Sequence, residues 1–360
     1  MGWLSHLKLL VVMKVLVVGD WLADIYEQAI YDGFSRSGCV VDRFSWIEYF
    51  KYYQYPRHFH VKKNLFFSLY YRIQNRFVFG PVLNKINRDL INFVSKGDYD
   101  LVFIYRGTHI FPGTLKKLKK QGCKIFGYNN DDPLSTRYPK YLWRHFIKSV
   151  PLYDHLFCYR EHNIGEYLQL GNKNTSLLRS YYIREKNFKI DNICKKYDVV
   201  FIGHFEDDGR DSYMLDLLKG NYTVKLFGTG WVKSKLYQEI VMLNGEISPV
   251  YDDYNLILNQ SKIALVFLSK MNRDTYTRRC FEIPATGTMM ISEFTDDLAS
   301  LYQPGIEADF FKSKEELLKK VEYYMSNPDL VFKIGESGRE RLISDGHEVL
   351  DRAVQVMEYV

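Results

Sequence analysis

One stretch of the sequence decides the fold: residues 273–293 read R-D-T-Y-T-R-R-C-F-E-I-P-A-T-G-T-M-M-I-S-E. Asp274 is a residue type that begins helices, and the pattern predicts a short helix from Tyr276 to Ala285. Gly287 is a residue type that ends helices, and an apolar strand is predicted at Thr288–Ser292. A helix that leads directly into a buried strand indicates an α/β protein.

The helix of this stretch carries charges that suit a nucleotide. Arg278 and Arg279 are the kind of residue that pairs with a diphosphate, and Glu282 lies one turn later, where a carboxylate suits the two hydroxyls of a ribose. The alternative is an amphipathic helix with ordinary surface charges. The stretch alone leaves both interpretations open.

The composition indicates a two-domain globular protein. The chain has 360 residues, of which 46% are hydrophobic and 26% charged, and its formal charge is +6. This basic excess favours anionic partners such as nucleotide phosphates or an acidic membrane surface, and it is too weak to indicate nucleic acid. The 5 cysteines form no C-x-x-C pair and show no zinc spacing, which predicts reduced thiols in a cytoplasmic protein and no cysteine-based zinc site.

In the first half, polar residues follow buried strands. Apolar runs predict parallel strands, and open parallel sheets bind ligands just past the carboxyl ends of their strands. Four residues in such positions are candidates for a catalytic base or for acceptor contact: Asp20, His109, Asp131 and Asp132. The alternatives are a cap or turn for Asp20 and an ordinary loop for His109. For the aspartate pair, of which at most one is aimed at a substrate, they are a metal site or a turn.

Residues 50–80 mix basic and aromatic side chains at a spacing that becomes helical from about Asn64. Such a segment suits a lipid interface or a polyanionic acceptor, and its alternative is a packed helix pair with snorkelling cations. Residues 1–12 are an upstream extension or a short amphipathic anchor. No membrane span is expected there, because lysines interrupt the run.

The strand and helix pattern restarts in the second half. A polar segment near residues 180–197 marks the boundary, and the next strands end at Gly203 and at Gly228-Thr229-Gly230, where a backbone can approach a ligand or merely turn. The predicted organisation is as follows: an extension at 1–12, a Rossmann-like domain at 13–185, a second at 196–345 and a final helix at 346–360.

The order of motifs in the second half resembles a known family. D-V-V-F-I-G-H is followed by R-R-C-F-E-I-P-A-T-G-T-M-M-I-S-E, L-Y-Q-P-G-I-E-A-D-F-F, E-E-L-L-K-K-V-E-Y-Y-M-S-N-P and I-G-E-S-G-R-E-R. Residues 198–357 thereby resemble the nucleotide-sugar domain of CgeB-like (spore-maturation-protein-like) glycosyltransferases. The first half matches more loosely, through D-Y-D-L-V-F-I-Y-R and Y-N-N-D-D-P. The resemblance implies the α/β GT-B fold: two Rossmann-like domains that face a central cleft, with a C-terminal helix that crosses back to the first.

The resemblance also implies an activity, the transfer of a sugar from a nucleotide-diphospho sugar without an obligatory metal or cofactor. Glu282 would bind the donor ribose, and Asp274, at the place of the family's first Glu, would face the donor sugar. Aspartate is one methylene shorter and suits a cap equally well, which leaves the stereochemistry open. The diphosphate candidates are Arg210, Lys270 and Arg278, and Gly287 matches the family's small residue after the helix.

Two other functions remain open at this stage. One is a sugar-nucleotide epimerase or hydrolase on the same fold, and the other is a non-catalytic protein that binds a membrane or a polyanion. For a transferase, we expect a saccharide or a lipid-linked or cell-surface glycan as acceptor, in the cytoplasm or at the inner face of the membrane.

Overall fold

The computed structural model describes residues 12–50 and 65–360. The chain forms two compact units. Unit 1 runs up to Arg179 and takes in Val349–Val360, and unit 2 is Ser180–Glu348. Within the described residues, no helix is both long and apolar enough to cross a membrane.

Unit 1 contains a sheet of six parallel strands in the order β2-β1-β3-β4-β5-β6. The strands are β1 (Lys14–Gly19), β2 (Val40–Ser45), β3 (Leu101–Tyr105), β4 (Lys124–Asn129), β5 (His155–Cys158) and β6 (Thr175–Leu177). The strand β2 is added on one side of β1, and β3 and the later strands are added on its other side. The order of the sheet therefore changes direction between β1 and β3, where Val18 pairs with Ile104. This switch point is where open α/β sheets bind ligands.

Helices cover the sheet of unit 1, so its central strands are continuous apolar runs. A π-helical turn (Asp24–Gln28) leads into the first helix. The helices are α1 (Ala29–Arg36), α2 (Leu65–Phe77), α3 (Pro81–Val94), α4 (Pro112–Lys119), α5 (Lys140–Ser149) and α6 (Glu161–Gln169). Two of them begin with proline at the first position, where the missing N–H costs no helical hydrogen bond.

Unit 2 contains five parallel strands in the order β11-β10-β9-β7-β8, with its switch point between β7 and β9. The strands are β7 (Tyr197–Ile202), β8 (Val224–Phe227), β9 (Ser261–Val266), β10 (Met289–Glu293) and β11 (Asp309–Phe311). The helices are α7 (Arg210–Lys219), α8 (Tyr237–Asn244), α9 (Tyr254–Asn259), α10 (Arg279–Ala285), α11 (Asp296–Leu301), α12 (Lys314–Met325) and α13 (Pro328–Ser344).

The last helix, α14 (Val349–Met357), returns to unit 1, as the resemblance implied. It packs against α1, where Gly33 is needed because a Cβ there would lie 3.0 Å from the Val349 carbonyl oxygen. The helix begins three residues later than predicted. His347 and Glu348 stay in unit 2, where Glu348 pairs with Tyr182 in a β-bridge.

Residues 180–196 belong to unit 2, although the first domain was predicted to extend to residue 185. Asn259 explains this, because its side chain accepts the Ile190 N–H at 2.7 Å and donates to the Phe188 carbonyl at 3.0 Å. Lys189 also pairs with Glu336 of α13 at 2.8 Å. Side chains of α9 and α13 bind the backbone and side chains of this polar segment, which explains why it has no periodic pattern of its own.

The predicted start of α10 was wrong. The helix begins at Arg279, and Asp274 does not cap it: the backbone N–H of Asp274 donates to the Ser269 carbonyl at 3.0 Å. Thr275 explains the shorter helix, since its hydroxyl donates to Asp297 at 2.6 Å and its carbonyl accepts from the Thr295 hydroxyl at 2.6 Å. These bonds tie the segment before α10 to the start of α11.

Candidate functional site

Three glycines shape the carboxyl edge of the sheet in unit 2. Gly203 follows β7, and Gly228 follows β8 with φ +141°. A Cβ at Gly228 would lie 1.8 Å from the Gly203 carbonyl oxygen, so only glycine lets the two strand ends approach this closely. Gly230 has φ +78° and lies in the left-handed region. The predicted G-x-G turn is therefore a site of close backbone approach.

Glu282 is held in a fixed orientation. It is 8% exposed, and its Oε1 accepts from Nε of Arg278, one helical turn earlier. Its Oε2 accepts from the Tyr254 hydroxyl at 3.0 Å. Burial, and then the negative charge of Glu282, raises the pKa of Tyr254 well above its ordinary value, so this hydroxyl stays a donor. A carboxylate has about four acceptor positions, so both oxygens of Glu282 can still accept from a ligand.

Arg279, which was predicted together with Arg278 to suit a diphosphate, also lies at the switch point of unit 2. Its Nη1 donates to the Ile202 carbonyl at the end of β7 at 3.2 Å, and its guanidinium lies 5.9 Å from the centroid of the Phe201 ring. Within the described part of the chain, its Nε is buried without a hydrogen-bond partner. A cation thus stands next to Gly203, between β7 and β9.

Arg210, a predicted diphosphate ligand, is occupied by the protein. It is 1% exposed, and it donates to Asp208 through Nε at 2.8 Å and through Nη2 at 2.6 Å. The His204 carbonyl accepts from Nη1 at 3.0 Å. These hydrogen bonds stabilise the loop between β7 and α7. They favour a structural role for Arg210 over the binding of an anion.

The other predicted donor residues differ in setting. Lys270 pairs with Glu293 at 3.1 Å at the end of β10 and is exposed. Gly287, with φ +72°, ends α10, and a Cβ there would lie 2.6 Å from Glu336 Oε1. Packing against Glu336 therefore explains the glycine at position 287 without a ligand.

In unit 1, an arginine joins the ends of three neighbouring strands. Arg106 follows β3 and lies 3.4 Å from Asp20, which follows β1, and 2.7 Å from Asp131, which follows β4. Its φ of +63° is unusual for a residue other than glycine and marks backbone strain. Although burial opposes the charge, Asp131 and Asp20 keep the pKa of Arg106 above its ordinary value.

Glu27 lies behind this cluster and was not predicted. The π-helical turn places it inside, 1% exposed, with Oε1 accepting the Asp20 N–H at 3.0 Å. Burial and the nearby charge of Asp20 raise the pKa of Glu27 to about 8. Single π-helical turns and shifted carboxyl pKa values are both frequent at functional sites.

His109, a predicted candidate base, is enclosed by the protein. Its ring stacks on Trp46 at 5.5 Å, its Nδ1 is 2.8 Å from the Thr108 hydroxyl and its Nε2 is 2.8 Å from Asn75 Oδ1. Burial, and then the charge of Arg106, lowers the pKa of His109 to about 3. Both ring nitrogens of His109 are hydrogen-bonded to other side chains of unit 1, which favours a structural role.

Asp132 has no exposed surface, in contrast to its neighbour Asp131. Its Oδ2 lies 3.2 Å from Nε2 of His162, and its Oδ1 accepts from Asn163 at 3.1 Å. One ligand atom from each of Asp132, His162 and Glu166 lies within 4.8 Å of the others. No spacing in the sequence links Asp132 to α6, so His162 was missed.

Comparisons with known proteins agree with this architecture. Residues 210–358 match a family model described as glycosyl transferase-like. A comparison with curated proteins gives no match.

Three solved structures show the fold. Sucrose-phosphate synthase (tll1590) from Thermosynechococcus elongatus is 12% identical, with a TM-score of 0.69 over 96% of this chain and 98% of that chain. Anabaena Alr3699/HepE, solved in complex with UDP and glucose, is 12% identical, with a TM-score of 0.67 over 96% and 98%. A putative UDP-N-acetylglucosamine 2-epimerase from Listeria monocytogenes is 11% identical, with a TM-score of 0.57 over 96% and 95%.

The fold confirms the predicted GT-B class, and the CgeB-like subfamily is left as a proposal. Residues 210–358 therefore match a glycosyl transferase-like family model, and the chain as a whole has the GT-B fold.

Proposed function

We propose that unit 2 binds a nucleotide-diphospho sugar and that unit 1 binds the hydroxyl compound that receives the sugar. The observation that carries the donor assignment is Glu282, a nearly buried carboxylate fixed by Arg278 and Tyr254. A fixed carboxylate can accept from both ribose hydroxyls without losing conformational entropy on binding. The HepE structure, which contains UDP and glucose, has the same fold and motivates UDP-glucose as the first donor to test.

Arg279 is the diphosphate ligand that we propose in place of Arg210. It lies beside Gly203 at the carboxyl end of β7, and open α/β sheets bind phosphates at such a switch point. Arg278 and Lys270 stay secondary candidates. A departing diphosphate gains negative charge in the transition state, so a fixed cation there lowers the barrier.

We assign the acceptor to Asp20, Arg106 and Asp131. Two carboxylates on one strained arginine present acceptors and a donor at the switch point of unit 1, which suits the hydroxyls of a saccharide. Asp274 stays a proposal for contact with the donor sugar, although it does not cap α10.

The predicted basic aromatic region, residues 50–80, lies partly outside the described residues, but α2 is described. It exposes large apolar side chains beside exposed Arg72 and Arg76: Phe66, Phe67, Leu69, Tyr70, Ile73 and Phe77. An apolar face flanked by cations suits an anionic membrane surface. We therefore propose a cytoplasmic enzyme that docks on the membrane, with a lipid-linked or cell-surface glycan as acceptor. The predicted extension at residues 1–12 falls almost wholly outside the described residues.

Calorimetry with UDP and UDP-glucose tests the donor site. Glu282→Ala should weaken UDP binding at least about tenfold, since it removes a fixed acceptor and leaves Tyr254 unpaired. Glu239→Ala is the matched control, because Glu239 is an exposed residue of unit 2 that pairs only with Lys219 among described contacts. Unchanged UDP affinity in the folded Glu282 variant would contradict the assignment.

Product analysis separates the reactions that one fold supports. A transferase releases UDP in proportion to an added saccharide, a hydrolase releases UDP and free sugar without one, and an epimerase releases no UDP.

Vesicle sedimentation with 30% anionic lipid tests the proposed docking of α2 on the membrane. Substituting Phe66 and Ile73 with Ser should reduce vesicle binding and leave UDP affinity unchanged.

A further inference from the structure

Asp132 cannot touch a substrate, although its sequence position marked it as a candidate base. It has no exposed surface, and its carboxylate is surrounded by donors. The Leu134 N–H and the Asn163 amide both donate to Oδ1 at 3.1 Å, and Nε2 of His162 lies 3.2 Å from Oδ2. A carboxylate in this setting can act only through a neighbour that reaches the surface.

His162 is that neighbour. It is the second residue of α6, which follows β5, so it lies at the carboxyl edge of the unit 1 sheet. Its side chain is 31% exposed, in contrast to the buried ring of His109. The residue next to Asp132 is Asp131, which contacts Arg106 at 2.7 Å. The exposed imidazole and the proposed acceptor residues therefore share one edge of the sheet.

We propose that His162 is the base that takes the proton of the acceptor hydroxyl, and that Asp132 is its positioning residue. This assignment rests on the proposed function. A base held in place by a buried carboxylate is a geometry that recurs where hydroxyl groups are made nucleophilic.

The chemistry follows from the orientation of the ring. Nε2–H donates to Asp132, so the lone pair is on Nδ1. Nδ1 takes the proton as the acceptor oxygen forms a bond to the anomeric carbon. The bond from that carbon to the diphosphate oxygen breaks, and the nucleoside diphosphate leaves with the electron pair. The carboxylate of Asp132 offsets the charge of the imidazolium, and attack opposite the leaving group inverts the configuration.

A divalent metal is the competing occupant of the same residues. Imidazole and carboxylate groups are ordinary zinc ligands, and Glu166 completes a set of three. However, the Asn163 amide donates to Asp132 at 3.1 Å and to Glu166 at 2.8 Å, so hydrogen bonds already hold the carboxylates in place. The two roles exclude each other, because a base needs the lone pair of the His162 imidazole that a metal would bind.

The test uses the full-length chain with UDP-glucose and a panel of saccharide acceptors, with water as the reference acceptor. His162→Gln and Asp132→Asn should each lower kcat by about 10²–10⁴-fold and leave UDP affinity unchanged in calorimetry. Glu166→Gln is the matched control and should keep kcat within a few-fold. NMR of the first product should show inversion at the anomeric carbon, and EDTA should have no effect.

Three results would overturn the assignment: a kcat for His162→Gln within threefold of wild type, retention of configuration, or loss of activity in EDTA that zinc restores. If Asp132→Asn fails to fold, the His162 variant decides alone. Absence of UDP release by the wild type, with UDP binding intact, would instead remove the proposed function and the base role with it.

Discussion

Glu27 accepts the backbone N–H of Asp20 at 3.0 Å through one oxygen, while its other oxygen is buried without a hydrogen-bond partner among the described residues. The approach is close, since a Cβ at Gly19 would lie 2.3 Å from Glu27 Cγ. Asp20 and Arg106 are the charged groups that face this carboxyl. Its acid form therefore supports the backbone on which the proposed acceptor residue sits.

This burial should make stability depend on pH. Burial raises the pKa of Glu27 from 4.5 to about 8, so between these values the folded chain keeps a proton that the unfolded chain releases. Stability from Glu27 is full below pH 4.5 and is lost as pH rises through 8. Glu27→Gln cannot ionise, so its advantage over wild type should grow by a few kcal/mol, in order of magnitude, between pH 5 and 9. Urea unfolding at several pH values measures this, and a pH-independent difference would contradict it.

His109 should make the stability of the folded chain depend on pH in the opposite direction. Its pKa is lowered to about 3, so below 6.5 the unfolded chain binds a proton that the folded chain excludes. Stability is then lost as pH falls below 6.5. His109→Gln should lose less stability than wild type between pH 6.5 and 4, whatever the packing cost of the substitution beside Trp46. Parallel acid unfolding curves for the two proteins would show that His109 is not held neutral.

Gly228 should tolerate no side chain. Its φ of +141° is rarely adopted by other residues, and an added Cβ would lie 1.8 Å from a backbone oxygen that cannot rotate away. Gly228→Ala should destabilise unit 2 by about 2–5 kcal/mol. Gly165→Ala in α6 is the control, since nothing lies within 4 Å of its added Cβ, and it should stabilise by about 0.5–1 kcal/mol. Equal unfolding midpoints for the two variants would contradict the assignment of Gly228.

Much of the fold could be predicted because parallel strands buried on both faces leave a simple signal. Leu101–Tyr105 is an unbroken apolar run in the sequence, and it forms a strand in which every residue is buried. The start of α10 could not be predicted in this way. Asp274 is a good capping type, but hydrogen bonds from Thr275 and Thr295, made across a distance in sequence, decided the helix start.

Some residues of the candidate sites could likewise be predicted from the sequence, and others could not. Asp20 and Asp131 could be found because a polar residue after a buried strand reaches the edge where ligands bind. Arg106 takes part through a strained backbone angle, and Tyr254 reaches Glu282 across 28 positions of sequence, so no local pattern reveals either. Glu27 resembles any polar helical residue, and only the π-helical turn shows that it faces inward.

Arg210 and Arg279 should separate stability from donor binding. Arg210→Ala leaves Asp208, only 9% exposed, without its buried partner and should cost about 3–5 kcal/mol of unfolding free energy. Arg279→Ala should weaken UDP binding at least about tenfold with a smaller loss of stability, because among the described residues its guanidinium donates to one carbonyl and lies against one ring. Calorimetry below the unfolding temperature of each variant and urea unfolding measure the two quantities. If folded Arg210→Ala lost UDP binding while Arg279→Ala kept it, the diphosphate would bind where the sequence first placed it.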